Sequence, residues 1–315
     1  MKDKITAVPK YRVIGIGKTL DCEHSIAVAV NNRGQVVIQA MGKFATSYLW
    51  TNGKIIEITP PERGVNCWVG GLNDHGTVVG SIGADREHRT AYSWQASKRT
   101  GLYPLDRGNT YATGITNDDV AYGDSYNRHG IARGVLWRKR DDPYDIGVAG
   151  SSVHIAGVSS DGPYTAYAEN RGNPISWILY NGNRMEYLPE GCIGHNINDQ
   201  GAAVGACSLP KNKGTQPFFY FKQKLTKLPT LGSKIACARD INNQEWIVGQ
   251  SGLLITQQQR GCLWCNNRLY DLNRLIQSSG KLLVTNATSI NNSNLIVGAA
   301  IVGGKEIACL LVPER

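Results

Sequence analysis

One unit recurs seven times along this chain, and that recurrence restricts the possible folds more than any other feature. Its clearest copy is Leu72-Asn73-Asp74-His75-Gly76-Thr77-Val78-Val79-Gly80. An apolar residue leads into a tight polar turn, and a short apolar run then closes on glycine. That pattern is a strand, a turn and a second strand. Taking the first turn residue as an anchor, the copies begin at Asn31, Asn73, Thr116, Ser159, Asn198, Asn242 and Asn291. Their spacings are 42, 43, 43, 39, 44 and 49 residues. A period of about 43 residues is that of a four-stranded propeller blade. A second landmark follows each anchor at 18 to 23 residues: Trp50, Trp94, Trp137, Trp177, Phe221, Trp264 and Leu311. A turn and a last short strand come next, as in Asn52-Gly53 before Ile55-Ile56-Glu57-Ile58.

The expected fold is therefore all-β: a single seven-bladed β-propeller of four-stranded blades spanning residues 1–315. The blades run approximately 21–59, 60–107, 108–147, 148–189, 190–231, 232–275 and 276–312. Mostly small residues lie two and four places before the anchor: Ala29 and Ala27, Gly71 and Val69, Gly114 and Ala112, Gly157 and Ile155. They suit inner strands that converge on an axis. The last copy ends on its third strand, Ala308 to Val312, while Tyr11 to Ile16 precedes the first copy. The N-terminal strand 11–16 is thus expected to complete the last blade and close the ring. Blade 4 is the most degenerate, with Pro163 where its second strand begins, and blade 7 has Asn294 in a glycine position.

The pattern Ile-Asn-Asx-x-Gly-x-Val-Val-Gly, then Ala-aromatic-Leu-Trp, then Asn-Gly, resembles the HAF-type bacterial repeat proteins. Leu72–Gly80, Val30–Val37, Ile197–Gly205 and Ile290–Gly298 carry the first part. Tyr48-Leu49-Trp50, Ala91-Tyr92-Ser93-Trp94 and Val135-Leu136-Trp137 carry the second. The resemblance covers nearly the whole chain. It implies a β-propeller, common in exported bacterial proteins, and brings no activity or catalytic residues. The chain departs from it in lacking the namesake His-Ala-Phe run.

No run of 18 apolar residues is present, so no transmembrane helix and no membrane insertion are expected. Met1 to Pro9 lacks the apolar core of a secretory signal. The expectation is a cytoplasmic protein, or one exported without a classical signal. Eight cysteines in a chain with a core of its own read as reduced, mostly buried thiols. Cys262-Leu263-Trp264-Cys265 matches Cys-x-x-Cys, but side chains three apart on a strand face opposite sides. No metal site and no cofactor are expected.

Chemistry-bearing residues gather just before the anchors: His24, His154, His195 and Cys237, with His154 and Cys237 both five places ahead of theirs. If the protein is an enzyme, those four are its candidate catalytic residues at the channel mouth. Charge also follows the repeat. The net charge is +9. The turns after the anchors are acidic (Asp74, Asp118, Asp119, Asp161, Asp199, Glu245), and the next loops are basic. The candidate binding residues are Arg86, Arg89, Arg128, Arg133, Arg171, Lys211, Lys213 and Arg260. Opposite loop sets lie on opposite faces of a propeller, which predicts one positive face. The leading expectation is a non-enzymatic, monomeric scaffold presenting that face to a protein partner with an acidic surface. The alternatives are a hydrolase or lyase acting on an anionic or glycan substrate, and nucleic-acid binding. The last lacks interleaved aromatics in the basic loops.

Overall fold

The second strand of each copy is buried on both faces, and this decides how the strands assemble. In the computed structural model Val36 to Ala40 are all buried, as are Ile296 to Ala300. A strand with no wet face must sit inside a sheet that has other sheets on both sides. The first strands alternate instead, half-exposed and buried, as over Ser152–Val158. The fourth are largely exposed, as over Lys54–Glu57. Each copy thus runs from an inner strand to an outer one.

The structure describes residues 7–58, 65–85, 88–139, 142–146, 152–160, 162–170, 173–180, 184–277 and 281–314. Strand β1 is Lys10–Gly15. The first unit is β2 (His24–Val30), β3 (Val36–Met41), β4 (Ala45–Thr51) and β5 (Lys54–Glu57). The second is β6 (Asn66–Leu72), β7 (Val78–Gly83), β8 (Arg89–Gln95) and β9 (Lys98–Gly101). The third is β10 (Thr110–Ile115), β11 (Ala121–Tyr126), β12 (Ala132–Lys139) and β13 (Asp142–Asp145). The fourth is β14 (Ser152–Val158), β15 (Tyr164–Asn170), β16 (Asn173–Tyr180) and β17 (Arg184–Tyr187). The fifth is β18 (Cys192–Ile197), β19 (Ala203–Ser208), β20 (Thr215–Phe221) and β21 (Lys224–Lys227). The sixth is β22 (Gly232–Ile241), β23 (Ile247–Leu253), β24 (Gln259–Cys265) and β25 (Arg268–Asp271), then a short helix α1 (Leu272–Leu275). The last is β26 (Leu283–Ile290), β27 (Ile296–Val302) and β28 (Lys305–Glu314).

These strands form five four-stranded antiparallel sheets and one eight-stranded sheet. The larger sheet is the fifth and sixth units, joined by one parallel pair, Thr215 with Ile235. β1 pairs antiparallel with β28, Lys10 opposite Glu314 through Gly15 opposite Cys309. The N-terminal strand therefore does lie beside the last one, one residue earlier than the sequence suggested.

Successive units share apolar cores. Val37, Leu49 and Ile58 of the first meet Cys67, Val69 and Trp94 of the second. Ala27, Val36 and Ile38 of the first also meet Val297, Ala308 and Leu310 of the last. The landmark tryptophans tie neighbours further. Trp137 Nε1 donates to the Tyr103 carbonyl at 2.7 Å, and Trp264 Nε1 to that of Pro229 at 2.8 Å. The inner strands touch backbone to backbone: a Cβ on Gly71 would lie 2.8 Å from the Gly114 Cα. Only glycine permits that approach.

The anchors explain the repeat itself. The Asn73 Oδ1 accepts the amides of His75 and Thr77, which closes the turn. Its Nδ2 donates to the Thr116 carbonyl at 3.0 Å, the anchor of the next unit. Asn31 reaches Asn73, Asn198 reaches Asn242, Asn242 reaches Asn291, and Asn291 returns to Asn31. Threonine and serine at 116 and 159 have no amide to donate. The residue three past the anchor is left-handed, with φ from 58° at Glu245 to 101° at Gly162. Asn294 sits there at 61°, a conformation asparagine tolerates.

One expectation fails. Cys192 and Cys207 form a disulfide. They are directly opposed across β18 and β19, so a separation of 15 residues in sequence becomes contact once the hairpin forms. The other six cysteines are free thiols. Cys262 and Cys265 do point to opposite faces, one packed with Val204 and Ala238, the other with Tyr11 and Val248.

Candidate functional site

Antiparallel order places the ends of the inner strands that precede the anchors beside the loops between second and third strands. This is the upper end of the molecule, and the anchor turns mark the lower end. Five places before the anchor stand Ile26, Trp68, Tyr111, His154, Ile193, Cys237 and Asn286. All seven are half-exposed, and the residues on either side of each in the strand are mostly buried. Two places later every inner strand carries a register shift, as between Val69 and Gly71 or Ala238 and Asp240. The skipped residue is Val28, Gly70, Thr113, Ala156, His195, Arg239 or Thr288. A bulge frees such a residue from the ladder and re-aims it. Five of the seven line a central cavity of about 290 Å³; His195 and Arg239 are the others.

Aromatic groups run along the upper end of the second to fourth units. The Arg89 guanidinium stacks 3.4 Å from the Trp68 ring centre and 5.4 Å from that of Tyr111. Tyr111 meets Tyr126 edge to face at 5.4 Å, and Tyr126 lies 6.4 Å from His154. His154 stacks on Tyr167 at 5.1 Å. Tyr111 and Asp124 are opposed across β10 and β11, and His154 and Tyr167 across β14 and β15. The third and fourth units therefore pack against each other through these side chains.

At this contact His154 Nδ1 lies 2.8 Å from Asp124 Oδ2. Burial pushes the Asp124 carboxyl up, and the hydrogen bond and charge of His154 pull it back. Its other oxygen, Oδ1, is buried with no hydrogen-bond partner among the described residues. With Nδ1–H donated to the carboxylate, Nε2 is the acceptor of the neutral ring.

His195 and Cys237 also meet, Sγ lying 3.3 Å from Nδ1. The same Nδ1 is 2.8 Å from the Ala238 carbonyl, which can only accept. Nδ1 therefore carries the proton and cannot take one from the thiol. Burial lowers the His195 pKa, with Arg239 adding to the fall, and burial raises the Cys237 thiol. Both are neutral near pH 7, so this contact is not an activated nucleophile. His24 begins β2 in an exposed position.

Arg133 is held by its own sheet, Nη2 2.6 Å from Asp145 Oδ2. Arg89 also donates Nε to the Asp85 carbonyl. Arg128, Lys211 and Lys213 are exposed, and Arg128 Nε donates to His129 Nε2. Arg260 is half-buried, donating Nη2 to Gln258 Oε1 at 3.1 Å. Arg86, Arg171 and Asp161 fall outside the described residues.

At the lower end the acidic turn residues are structural. Asp74 accepts the Asn32 amide at 2.7 Å, and Asp199 that of Ser160 at 3.0 Å. Asp240 is buried in the cavity wall and holds Asn196 Nδ2 and the amides of Ile241 and Ile290. Burial raises its pKa, and it contributes to raising Tyr122 to about 12, after desolvation. Sequence reasoning did not assign Trp68, Tyr111, Asp124 or Asp240. The available signal for the first two was positional: three consecutive units carry Trp, Tyr and His five places before the anchor.

No protein-family model matches the chain, and no curated protein does. Solved structures do. Streptogramin B lyase is similar at 11% identity and a TM-score of 0.55, over 97% of this chain and 98% of that one. The β-propeller domain of the Trilobed protease from Pyrococcus furiosus gives 9% and 0.57, over 97% and 96%. YCF48 bound to D1 peptide gives 11% and 0.57, over 98% of each chain. At such identities the likeness establishes a propeller-like arrangement of repeated sheets. Among the described residues no group of three or more His, Cys, Asp or Glu could hold a metal ion, and no helix is long and apolar enough to cross a membrane.

Proposed function

We propose that the chain is a closed seven-bladed propeller of the HAF-type repeat kind, acting as a non-enzymatic binding module. Its ligand sits at the upper end of the second to fourth blades. One observation carries this reading: Trp68, Tyr111 and His154 occupy the same half-exposed register position in consecutive blades, and Arg89, Tyr126 and Tyr167 join them into one row. Half-exposed aromatic faces held on a rigid sheet are platforms for a ligand. The basic rim is a weaker basis, because Arg133 and Arg89 already spend their charge on Asp145 and Trp68. Arg128, Lys211 and Lys213 could still steer an acidic protein towards this end. The test is a titration of peptide and oligosaccharide panels followed by tryptophan fluorescence and by calorimetry, in wild type, in Trp68→Phe, which assigns the Trp68 share of the signal, and in Tyr111→Ala. Ligands that bind wild type and Tyr111→Ala equally would place the site elsewhere.

A second reading, a hydrolase or lyase, rests on the Asp124–His154 pair. A buried carboxylate that fixes an imidazole tautomer is the arrangement a general base needs. Turnover of any panel substrate, lost in His154→Gln, would favour it.

A further inference from the structure

We propose that the upper corner of the fifth and sixth units docks peripherally on an anionic lipid bilayer, with Leu254 and Ile255 entering the interface and Lys211, Lys213 and Lys234 lying on the headgroups. The proposal goes beyond the ligand row of the second to fourth units and does not depend on it.

The apolar part is a projecting tip. Leu254 and Ile255 stand on the hairpin loop between β23 and β24 and are 65% and 90% exposed. Ile255 is the most exposed large hydrophobic side chain among the described residues. Removing such surface from water is favourable, and this fold offers it nothing to pack on. The tip is held in that pose. The Leu253 amide donates to the Gln258 carbonyl, and the Gln257 amide to that of Leu253. Gln257 Nε2 donates to the Leu254 carbonyl at 2.9 Å, and the Ser233 hydroxyl ties Gln257 Oε1 to β22 at 2.7 Å. Two residues along that strand, Ile235 adds a side chain 50% exposed.

The charged part adjoins it. A Cβ on Gly232 would lie 2.8 Å from that of Leu254, and a Cβ on Gly214 would lie 2.9 Å from that of Lys234. The tip, the start of β22 and the loop that carries Lys211 and Lys213 are therefore neighbours. All three lysines are exposed, and none has an ion-pair partner among the described residues. From Gln200 to Arg239 the sequence holds seven cations and no acid, and from Trp246 to Tyr270 two arginines and no acid. Of the acids around these stretches, Asp240 is buried in the cavity wall and Asp271 caps α1.

This pairing of groups selects the partner. The centre of a protein interface favours Trp, Tyr and Arg and disfavours Lys, whereas here an aliphatic tip stands in a field of lysines. A nucleic acid would set phosphates against Leu254 and Ile255. A bilayer supplies an acyl boundary for the tip and a diffuse negative surface for compact ammonium charges. Apolar burial and electrostatic attraction then add, where either alone holds weakly.

The experiment sediments the full chain with vesicles of phosphatidylcholine alone and of phosphatidylcholine mixed with phosphatidylserine, at low and high salt. Wild type should bind the mixed vesicles, less at high salt, and the neutral ones far more weakly. Two sets of variants, each checked for an unchanged melting temperature, separate the two parts. Leu254→Gln with Ile255→Gln should weaken binding about tenfold. Lys211→Gln, Lys213→Gln and Lys234→Gln together should weaken it about a hundredfold, about fivefold for each lysine, and flatten the salt dependence. Lys98→Gln, on an exposed lysine of the second unit's outer strand, should bind like wild type. No sedimentation with the mixed vesicles, or equal binding to both kinds, overturns the proposal. Binding that survives both variant sets overturns the placement. Self-association that is lost with Leu254→Gln and Ile255→Gln, in a protein that ignores vesicles, makes the tip a contact between proteins and overturns the lipid.

Discussion

Asn242 shows how much one residue type contributes here. Its Oδ1 accepts the amides of Gln244 and Trp246, and its Nδ2 reaches the Asn291 carbonyl at 3.0 Å. Alanine would strand two turn amides and break the link to the next unit. Removing a partner from buried groups costs more than one net hydrogen bond, so Asn242→Ala should lose about 2–4 kcal/mol in urea unfolding. Threonine should recover about 1 kcal/mol, because the Thr116 hydroxyl already accepts the Val120 amide in this way. Equal losses for the two variants would mean that the inter-unit bond, and not the turn, dominates. His195 makes a prediction of opposite character. Its folded pKa lies below the ordinary 6.5 because burial, and then Arg239, disfavour the cation. The unfolded chain therefore binds more protons as pH falls through 6.5, and stability drops in that window. His195→Gln should flatten that drop, read as the wild-type-minus-variant difference in unfolding free energy at pH 7.5, 6 and 5. A difference that does not change with pH would mean that the ring titrates normally.

At the scale of the strand and hairpin, most of the architecture was legible and most of the site was not. Anchors and landmarks lie where the spacing put them. Asn73 directly follows the inner strand β6, and Trp94 sits on the third strand β8. Both signals repeat, and repetition is visible without a structure. What pairs across strands is not. Cys192 and Cys207 look like two unrelated thiols until register opposes them, and Asp124 meets His154 only through packing of the third unit on the fourth. The bulge that displaces His195 and Arg239 is likewise a property of the pair of strands. The disulfide gives an element-scale prediction. Denatured, unreduced protein should titrate six thiols, and reduced protein eight, since six cysteines are free and two are joined. Closing a loop of 15 residues stabilises by about 3 kcal/mol in the chain-entropy account, so reduction should lower the melting temperature by several degrees. Eight thiols without reductant would show that the hairpin holds without the bond.

For the whole molecule the question is what holds the last unit to the first. Each sheet is stable only against its neighbours, so an unsealed seam weakens the units beside it and is felt beyond them. Likeness in fold to a lyase, a protease's propeller domain and a peptide-bound protein says that this scaffold is reused, and function must come from what the rim carries. The seam here is made by two devices. Asn291 donates to the Asn31 carbonyl on the inside, and β1 pairs with β28 on the outside. β1 also brings Tyr11, fully buried, into the core shared by the sixth and last units, and Val13 with it. Ile16 enters the core between the last unit and the first. Burying three such side chains stabilises by about 6 kcal/mol, to which the ladder bonds add. Deleting residues 1–17 should therefore lower the melting temperature by about 10 °C or more and expose the β28 edge to self-association. A synthetic peptide of residues 7–17 added in trans should restore part of the loss, because it can refill the same register. A truncated protein that melts like wild type, or one that the peptide does not stabilise, would show that β1 adds nothing to a junction already held by Asn291 and the shared core.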